Sequence, residues 1–354
     1  MMLAVTAACT KKGENAQQPI PQDDDIEKYF EINIIDDGTA AEVTKYTGEK
    51  KDVVIPAFIQ NLPVTAIGKR FLSDKSIDSV IIPDGVTSIG NGAFSYNYLF
   101  SVNIPNSVIS IGDEAFARNN LETIVIPDGV TSIEYRAFAE NRLANVIIPL
   151  NVTSIGPGAF CYNQLTDVVI PPGVNFIGIG AFTNNQLTTI TIPDGITAIE
   201  EATFADNQLT SFIIPNSVTS IGDEAFANNQ LTAINIPPHV TEIGTKAFYN
   251  NRLASFNFPD GITLINEEVL RLNKLTAIVI PESVTVIEYG AFLDNQLTSI
   301  TIGSNVRLGH SVQREAGGPV ERFLVFDNGL DDFYRENGRK KGTYTFNNGT
   351  WSFQ

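Results

Sequence analysis

A unit of 22 residues recurs along most of this chain, and it limits the possible folds more than any other feature of the sequence. Each unit begins with a proline, at positions 83, 105, 127, 149, 171, 193, 215, 237, 259 and 281. A fixed period of this length is typical of a solenoid, in which each coil packs only on its neighbours. We therefore expect one elongated domain with a continuous core, rather than the several globular domains that 354 residues would otherwise suggest.

Each unit contains the signals for two extended segments and one turn of helix. In the unit 215–236, the residues Leu231–Ile236 predict a short strand, which the proline of the next unit ends. Val240–Ile243 predicts a second, shorter extended segment on the opposite wall of the coil. The pattern Gly-x-x-Ala-Phe that follows this wall segment predicts about one helical turn. Asp223 and Glu224 lie where negative charge would stabilise the start of that turn.

Two rows of in-register residues are expected to hold neighbouring coils together. An asparagine stands 14 residues after each of these prolines, from Asn97 to Asn295. Its amide can hydrogen-bond the backbone of its own coil and of the next one, and a row of ligand-binding amides is the alternative interpretation. The second row is aromatic, with Leu270 as its only lapse, and we interpret it as a core spine rather than a cofactor site. Its members are Phe94, Phe116, Phe138, Phe160, Phe182, Phe204, Phe226, Phe248 and Phe292.

The unit resembles the leucine-rich repeats of the BspA-like class, also called the Treponema pallidum type. The resemblance rests on the motif L-x-x-[IVF]-x-I-P-x-x-V-T-x-I-G-x-x-A-F-x-x-N, as in Leu209–Asn229, and it covers about Val53–Ile302. It implies a leucine-rich repeat solenoid with parallel strands on a concave face, and with short strands and single helical turns on the opposite wall. It also implies adhesion, because BspA-like proteins are associated with binding to host matrix proteins and to other bacteria. This chain has asparagine where the family often has cysteine.

The two ends of the chain are expected to cover the open ends of the solenoid. Glu31–Ile35 and Ala41–Tyr46 predict an N-terminal β-hairpin around an Asp-Asp-Gly turn. Phe323–Asn337 predicts a short helix, and Gly342–Phe353 predicts a hairpin that turns at Asn348-Gly349. The predicted division of the chain is a signal remnant at 1–9, a tether at 10–25, a β cap at 26–52, a solenoid of about 11 coils at 53–302, and a degenerate coil with a capping hairpin at 303–354.

The sequence Thr6-Ala7-Ala8-Cys9 resembles a bacterial lipoprotein cleavage box, in which the cysteine becomes the lipidated first residue. Thr6 stands where leucine is usual, and an ordinary flexible terminus is the alternative. We expect lipidation of Cys9 and a lipid-anchored protein of the bacterial cell envelope or surface. The net charge of −17 argues against nucleic-acid binding and against electrostatic binding to membranes. Contact with a membrane is therefore expected only through this lipid.

No catalytic or cofactor motif is present in the sequence. His239 and His310 have no partner at a fixed spacing, and Cys161 fills a position that sister coils give to alanine. A carboxylate follows half of the ten prolines, and a row of this kind can attract calcium, but the interruptions leave no regular ligand set. We therefore predict a protein that is not an enzyme and has neither a cofactor nor a metal site. The carboxylates of this row are Asp84, Asp128, Asp194, Asp260 and Glu282.

The predicted concave face is where we expect binding. Its outward residues are small, β-branched and nearly uncharged, and Val125, Ile147 and Val169 would form a contiguous apolar strip. A preference for β-branched residues in strands is the alternative explanation of that strip. We predict adhesin-like binding of a protein or matrix ligand by a monomer, with a glycan-binding module or a ligand-free spacer as alternatives. The residues assigned to this contact are Thr123, Val125, Asn145, Ile147, Asp167, Val169, Thr189, Thr191, Ser211 and Ile213.

Overall fold

The computed structural model describes residues 26–309, 324–326 and 329–354, and it shows a β-solenoid of about 12 turns. This confirms the predicted leucine-rich repeat solenoid, with coils that stack in parallel and share one continuous core. The regular element of a coil is a two-residue strand that pairs in parallel with the strand of at least one adjacent coil, and we call these elements the wall strands. They are Ser88–Ile89, Ser110–Ile111, Ser132–Ile133, Ser154–Ile155, Phe176–Ile177, Ala198–Ile199, Ser220–Ile221, Glu242–Ile243, Leu264–Ile265, Val286–Ile287 and Arg307–Leu308.

The other strands and the helices lie towards the two ends of the solenoid. The N-terminal set comprises the 3-10 turns Ile26–Tyr29 and Asp36–Gly38 and the strands Phe30–Ile35, Ala40–Tyr46, Asp52–Val54, Phe58–Ile59, Leu62–Ile67 and Ser79–Ile81. The C-terminal set comprises the strands Ala277–Val279, Ser299–Ile302, Gly342–Asn347 and Thr350–Phe353 and the α-helix Leu330–Glu336. Within the described residues α-helix is therefore confined to one segment of 7 residues.

The segment before each proline was predicted as a strand, but it forms a regular strand only near the ends of the solenoid. In the coils from that of Val125 to that of Thr191 it makes isolated parallel bridges, as between Val125 and Ile147. In Leu231–Ile236, Thr232 and Ala233 are both exposed, so the side chains alternate between two faces only over the last four residues. The strand prediction was therefore too long for the middle coils, although these segments remain in register.

The predicted helical turn is wrong, because hydrogen bonds between coils take the N–H groups that a helix would need. In one coil the N–H groups of Glu224, Phe226 and Asn228 donate to carbonyl oxygens of the next coil, at N–O distances of 2.8, 2.9 and 2.9 Å. The Ala225 N–H closes a β-turn onto the carbonyl of Gly222, and Glu224 has a left-handed backbone with φ of 54°. A left-handed third residue is typical of a type II turn and is incompatible with a right-handed helix.

The acidic pair at this turn does not mark a helix start, as the sequence suggested it would. Asp223 Oδ1 accepts a hydrogen bond from the Thr245 N–H of the next coil at 2.7 Å. The Glu224 N–H donates to the carbonyl of Thr245 at 2.8 Å. The pair therefore helps to join two coils.

The third residue of this turn has a left-handed backbone in every coil from that of Arg70 to that of Gly290. A left-handed backbone costs a residue other than glycine about 1 kcal/mol. Gly180 has this role in one coil with φ of 60°, and Ala202 has it in the next with φ of 51°. We predict that Ala202→Gly raises the free energy of unfolding by about 0.5–1 kcal/mol, because relief of strain exceeds the added entropy of the unfolded chain. Urea unfolding followed by circular dichroism measures this change.

The matched control is the reverse change, Gly180→Ala. Its new methyl group would meet only Thr183 Cγ2, at an ordinary 3.6 Å, so any loss of stability reports the backbone rather than a steric clash. The two substitutions should shift the urea midpoint in opposite directions. Shifts of the same sign would contradict the assignment of strain to this position.

Both predicted hairpins cap the solenoid, and they attach to different rows of the coil. The N-terminal pair Phe30–Ile35 and Ala40–Tyr46 is antiparallel, and its second strand pairs in parallel with Leu62–Ile67, which continues into the wall strands. At the other end, Gly342–Asn347 pairs antiparallel with Ser299–Ile302, in the row of segments that precede the prolines. Each cap covers backbone groups that the last coil would otherwise leave unpaired.

The C-terminal helix is shorter than predicted, because Gly329 precedes it with a left-handed φ of 74°. Its second residue, Asp331, is fully buried, and its carboxylate accepts hydrogen bonds from the N–H groups of Val325 (3.3 Å) and Phe326 (3.1 Å). Burial raises the pKa of the Asp331 carboxyl above its ordinary value. Residue 323, residues 327–328 and the irregular segment 311–322 lie outside the described residues.

The aromatic row forms the spine of the core, as predicted. Rings of adjacent coils stack from Phe94 to Phe248 with centroids 5.2–6.0 Å apart. At the lapse, Leu270, two additional aromatic residues continue the contact, since Phe256 and Phe258 link the ring of Phe248 to the next ring of the row. The spine therefore remains aromatic although one of its positions is aliphatic.

Candidate functional site

The side chains two residues before the prolines form an exposed file, and we call Val125, Ile147 and Val169 the apolar file. Their side chains are 70%, 77% and 76% exposed. Parallel bridges join the three residues from one coil to the next, which places them about 4.8 Å apart along the solenoid. The residues on either side of Ile147, Val146 and Ile148, are buried. Extended backbone thus anchors the file in the core while it presents three aliphatic side chains to solvent.

All ten residues that the sequence assigned to binding are exposed, and the structure brings them together in two adjacent columns. Asp167 is the only ionisable side chain among them, so the surface is nearly neutral. A shallow groove lies beside it, between the segments 167–172 and 189–193, and Val169 and Thr191 line this groove. The arrangement offers apolar contact rather than charge to a partner.

Sequence analysis missed one part of this surface. Leu150 is 79% exposed and directly follows the proline that ends the segment of Ile147. Pro172 is exposed at the same position of the next coil. The residue that follows the proline is acidic in other coils, as at Asp128 and Asp194. A leucine and a proline at this position in two adjacent coils were the sequence signal that could have revealed an apolar extension of the binding surface.

The residues considered for chemistry are not brought together. Cys161 is a free cysteine, and burial raises the pKa of its thiol, which favours the unreactive protonated form at neutral pH. His239 is an exposed turn residue, whereas His310 and Cys9 lie outside the described residues. Within residues 26–309, 324–326 and 329–354, no three His, Cys, Asp or Glu side chains converge in a group that could hold a metal ion.

The asparagine row has the predicted structural role, although each side chain bonds to the preceding coil rather than to the next. Asn185 Nδ2 donates to the carbonyls of Phe182 (3.1 Å) and Thr183 (3.3 Å) in its own coil and of Phe160 (3.0 Å) in the coil before. Its Oδ1 accepts from the N–H of Leu165 at 3.0 Å. Because both ends of the amide are engaged, the row does not offer free amides to a ligand.

The repeat pattern of this chain, including the asparagine row, matches a known protein family. A family model described as BspA type leucine rich repeat region (6 copies) matches residues 55–100, 88–209 and 197–312. The chain belongs to this family. The match covers both the apolar file and the whole asparagine row. These features therefore lie within the BspA-type repeats and not in an added domain.

Solved structures also resemble this BspA-type chain. The pneumococcal vaccine antigen PcpA has 17% sequence identity and a TM-score of 0.55, with 88% of this chain and 95% of that chain covered, which shows a shared fold. A leucine rich cell surface protein from Faecalibacterium prausnitzii has 27% identity and a TM-score of 0.47, covering 78% of this chain and 88% of its own. A leucine-rich repeat protein from Bacteroides ovatus has 20% identity and a TM-score of 0.49, covering 80% and 89%. Comparison with curated proteins gave no match.

The described residues contain no helix whose length and apolar character would allow it to cross a bilayer.

Proposed function

We propose that this BspA-type protein is a non-enzymatic, adhesin-like protein that binds another macromolecule through the apolar file. The observation that carries the proposal is the exposure of three aliphatic side chains on adjacent coils of a chain with a net charge of −17. Burial of one such side chain contributes about 1.5–3 kcal/mol, so three of them can anchor a partner. Leucine-rich repeat proteins in general mediate protein–protein contacts, which supports a protein ligand.

The proposal includes presentation at the bacterial surface. A lipid on Cys9 and the polar tether at 10–25 would hold a monomeric solenoid away from the membrane, with the apolar file accessible along its length. The segment 1–25 lies outside the described residues, so this part of the proposal rests on the sequence alone.

The decisive test is a triple substitution in the apolar file. We expect the full-length protein to bind immobilised collagen or fibronectin saturably, and Val125→Asp/Ile147→Asp/Val169→Asp to weaken that binding at least about 100-fold, because apolar contacts are lost and three charges are buried. Surface plasmon resonance measures the affinity, and a thermal melt by circular dichroism checks that the variant folds.

The matched control adds the same charge on the wall of the solenoid. Thr131→Asp/Thr153→Asp/Asn175→Asp changes three exposed residues and should leave the affinity within about twofold of the parent value. Equal loss in both variants would show that only net charge matters and would overturn the proposal. Failure of the parent protein to bind matrix proteins or mucin would favour the ligand-free spacer instead.

A further inference from the structure

One coil of the solenoid carries an aromatic ridge, formed by Tyr96, Tyr98 and Phe100. The three side chains are 46%, 58% and 54% exposed. The residues between them, Asn97 and Leu99, are buried, so the three rings leave the coil on its outer side. This clustering is specific to that coil, because the corresponding residues of the next coil are arginine, asparagine and glutamate.

One end of the aromatic ridge already binds a cation from within the chain. The guanidinium carbon of Arg118 lies 4.5 Å from the centre of the Tyr96 ring. Arg118 also donates to the Tyr96 hydroxyl, and its Nε donates to Glu140 Oε1 at 2.9 Å. An arginine held between an aromatic face and a carboxylate gains both cation–π attraction and a charge-assisted hydrogen bond. The ridge thus contains an internal example of the ligand it can accept.

The other end of the aromatic ridge also combines exposed rings with nearby carboxylates, but within the described residues no cation of the chain lies over these rings. The N–H of Tyr98 donates to the carbonyl of Ile77 at 2.9 Å, which places the exposed Asp78 on the preceding coil beside the ridge. The N–H of Glu122 donates to the carbonyl of Phe100 at 3.3 Å, which places a second exposed carboxylate on the following coil. Within the described part of the chain, neither carboxylate takes part in an ion pair.

We propose that Tyr98 and Phe100, together with Asp78 and Glu122, bind an arginine or lysine side chain on a basic segment of a partner protein. The rings supply the cation–π face, and the two carboxylates supply hydrogen-bond acceptors and negative charge. The net charge of −17 steers a basic segment towards the solenoid. Neutral sugars also stack on exposed aromatic rings, but the unpaired carboxylates favour a cation.

This ridge site is distinct from the apolar file and rests on the proposed function only in taking a protein as its partner. Phe100 is followed in sequence by Ser101, an outward residue of the segment before a proline, and Val125 lies on the next coil. A partner could therefore contact both surfaces, but each has its own residues and its own chemistry. The two proposals can consequently fail independently.

The test uses a fluorescein-labelled peptide of alternating glycine and arginine and a matched peptide in which citrulline replaces arginine. Citrulline keeps the shape of arginine but is neutral, so fluorescence anisotropy with the full-length protein should show at least about tenfold weaker binding of the citrulline peptide. Tyr98→Ser/Phe100→Ser and Asp78→Asn/Glu122→Gln should each weaken arginine-peptide binding about tenfold. Thermal melts should match the parent protein because all four side chains are exposed.

The matched controls change the same residue types elsewhere on the solenoid. Tyr135→Ser/Phe176→Ser removes two other exposed aromatic side chains, and Asp128→Asn/Asp194→Asn removes two other exposed charges. Both should bind the arginine peptide within about twofold of the parent protein. Equal losses in the ridge and control variants would indicate diffuse attraction and overturn the proposal. Equal binding of both peptides, or loss of mucin-glycan binding alone in Tyr98→Ser/Phe100→Ser, would also overturn it.

Discussion

Replacing Asn185 with alanine should lower the free energy of unfolding by about 2–3 kcal/mol, because it leaves a buried N–H group without an acceptor. The N–H of Leu165, a fully buried residue, donates to Asn185 Oδ1 at 3.0 Å. The carbonyls on the other side of the amide are less vulnerable. Phe160 O also accepts from Asn163 Nδ2 at 3.1 Å, and Phe182 O accepts from Asn207 Nδ2 at 2.9 Å. The expected loss therefore comes mainly from the Leu165 N–H and from the deleted side-chain volume.

A second substitution at this site separates hydrogen bonding from packing. Asn185→Asp keeps an acceptor for Leu165, but it points a second oxygen at three carbonyl groups and buries a negative charge. It should therefore destabilise the protein more than Asn185→Ala at neutral pH. Burial and the facing carbonyls would raise the pKa of the new carboxyl, so protonation is favoured in the folded state. Stability lost at neutral pH should then be partly regained as the pH falls.

Far-UV circular dichroism during urea unfolding measures these changes over the whole solenoid. Asn235→Ala is the control, since it removes an exposed asparagine from the segment before a proline and should leave the urea midpoint almost unchanged. Trp351, the only tryptophan, lies in the C-terminal hairpin, so its fluorescence reports on that cap. An unaltered midpoint for Asn185→Ala would show that the amide ladder contributes little to stability.

Truncation of the aromatic spine should have an even larger effect. Phe160 is fully buried, and its ring centroid lies 5.6 Å from that of Phe138 and 5.7 Å from that of Phe182. We predict that Phe160→Ala lowers the free energy of unfolding by about 3–5 kcal/mol, because it loses the transfer free energy of the ring and leaves a cavity between two coils that cannot collapse independently. The same urea titration measures this loss.

Phe160→Leu is the conservative companion, and the chain itself supplies the precedent for it. Leu270 occupies this position in a later coil, where Phe256 and Phe258 preserve aromatic contact. The coil of Phe160 lacks such a pair, so leucine there should cost about 1–1.5 kcal/mol, well below the cost of alanine. Equal losses for leucine and alanine would contradict a packing origin and would point to a specific role for the ring.

The positions of the repeats and the identity of the residues that join them could be read from the sequence. Solenoid geometry repeats each residue in the same environment, so an invariant buried asparagine or phenylalanine appears as a fixed period. The exposed file of Val125, Ile147 and Val169 followed from the same register, since its members lie between core positions. The hairpin at Gly342–Phe353 was also predicted, because an Asn-Gly pair favours a tight two-residue turn.

The backbone conformation of the Gly-x-x-Ala-Phe turn was determined by the tertiary structure rather than by the local sequence. Gly-x-x-Ala-Phe favours a helical turn in isolation, but alternate N–H groups there bond to the next coil and hold residues such as Glu224 and Ala202 in left-handed conformations. Only four of the eleven residues in this position between Arg70 and Gly290 are glycine, so the residue types gave little indication of a left-handed backbone. The hydrogen bonds between coils outweighed the local preference for a helical turn, because the same bonds recur from coil to coil along the stack.

The sequence by itself determined the solenoid, its period, its core rows and its hairpin caps, because these depend on which residues recur at each register. The tertiary structure alone decided which rows the caps join, and where the extended segments pair as regular strands. It also brought the aromatic ridge of Tyr96, Tyr98 and Phe100 between the carboxylates of Asp78 and Glu122. Such neighbours are about one coil apart in the sequence, and only the stacking of coils fixes their distance in space.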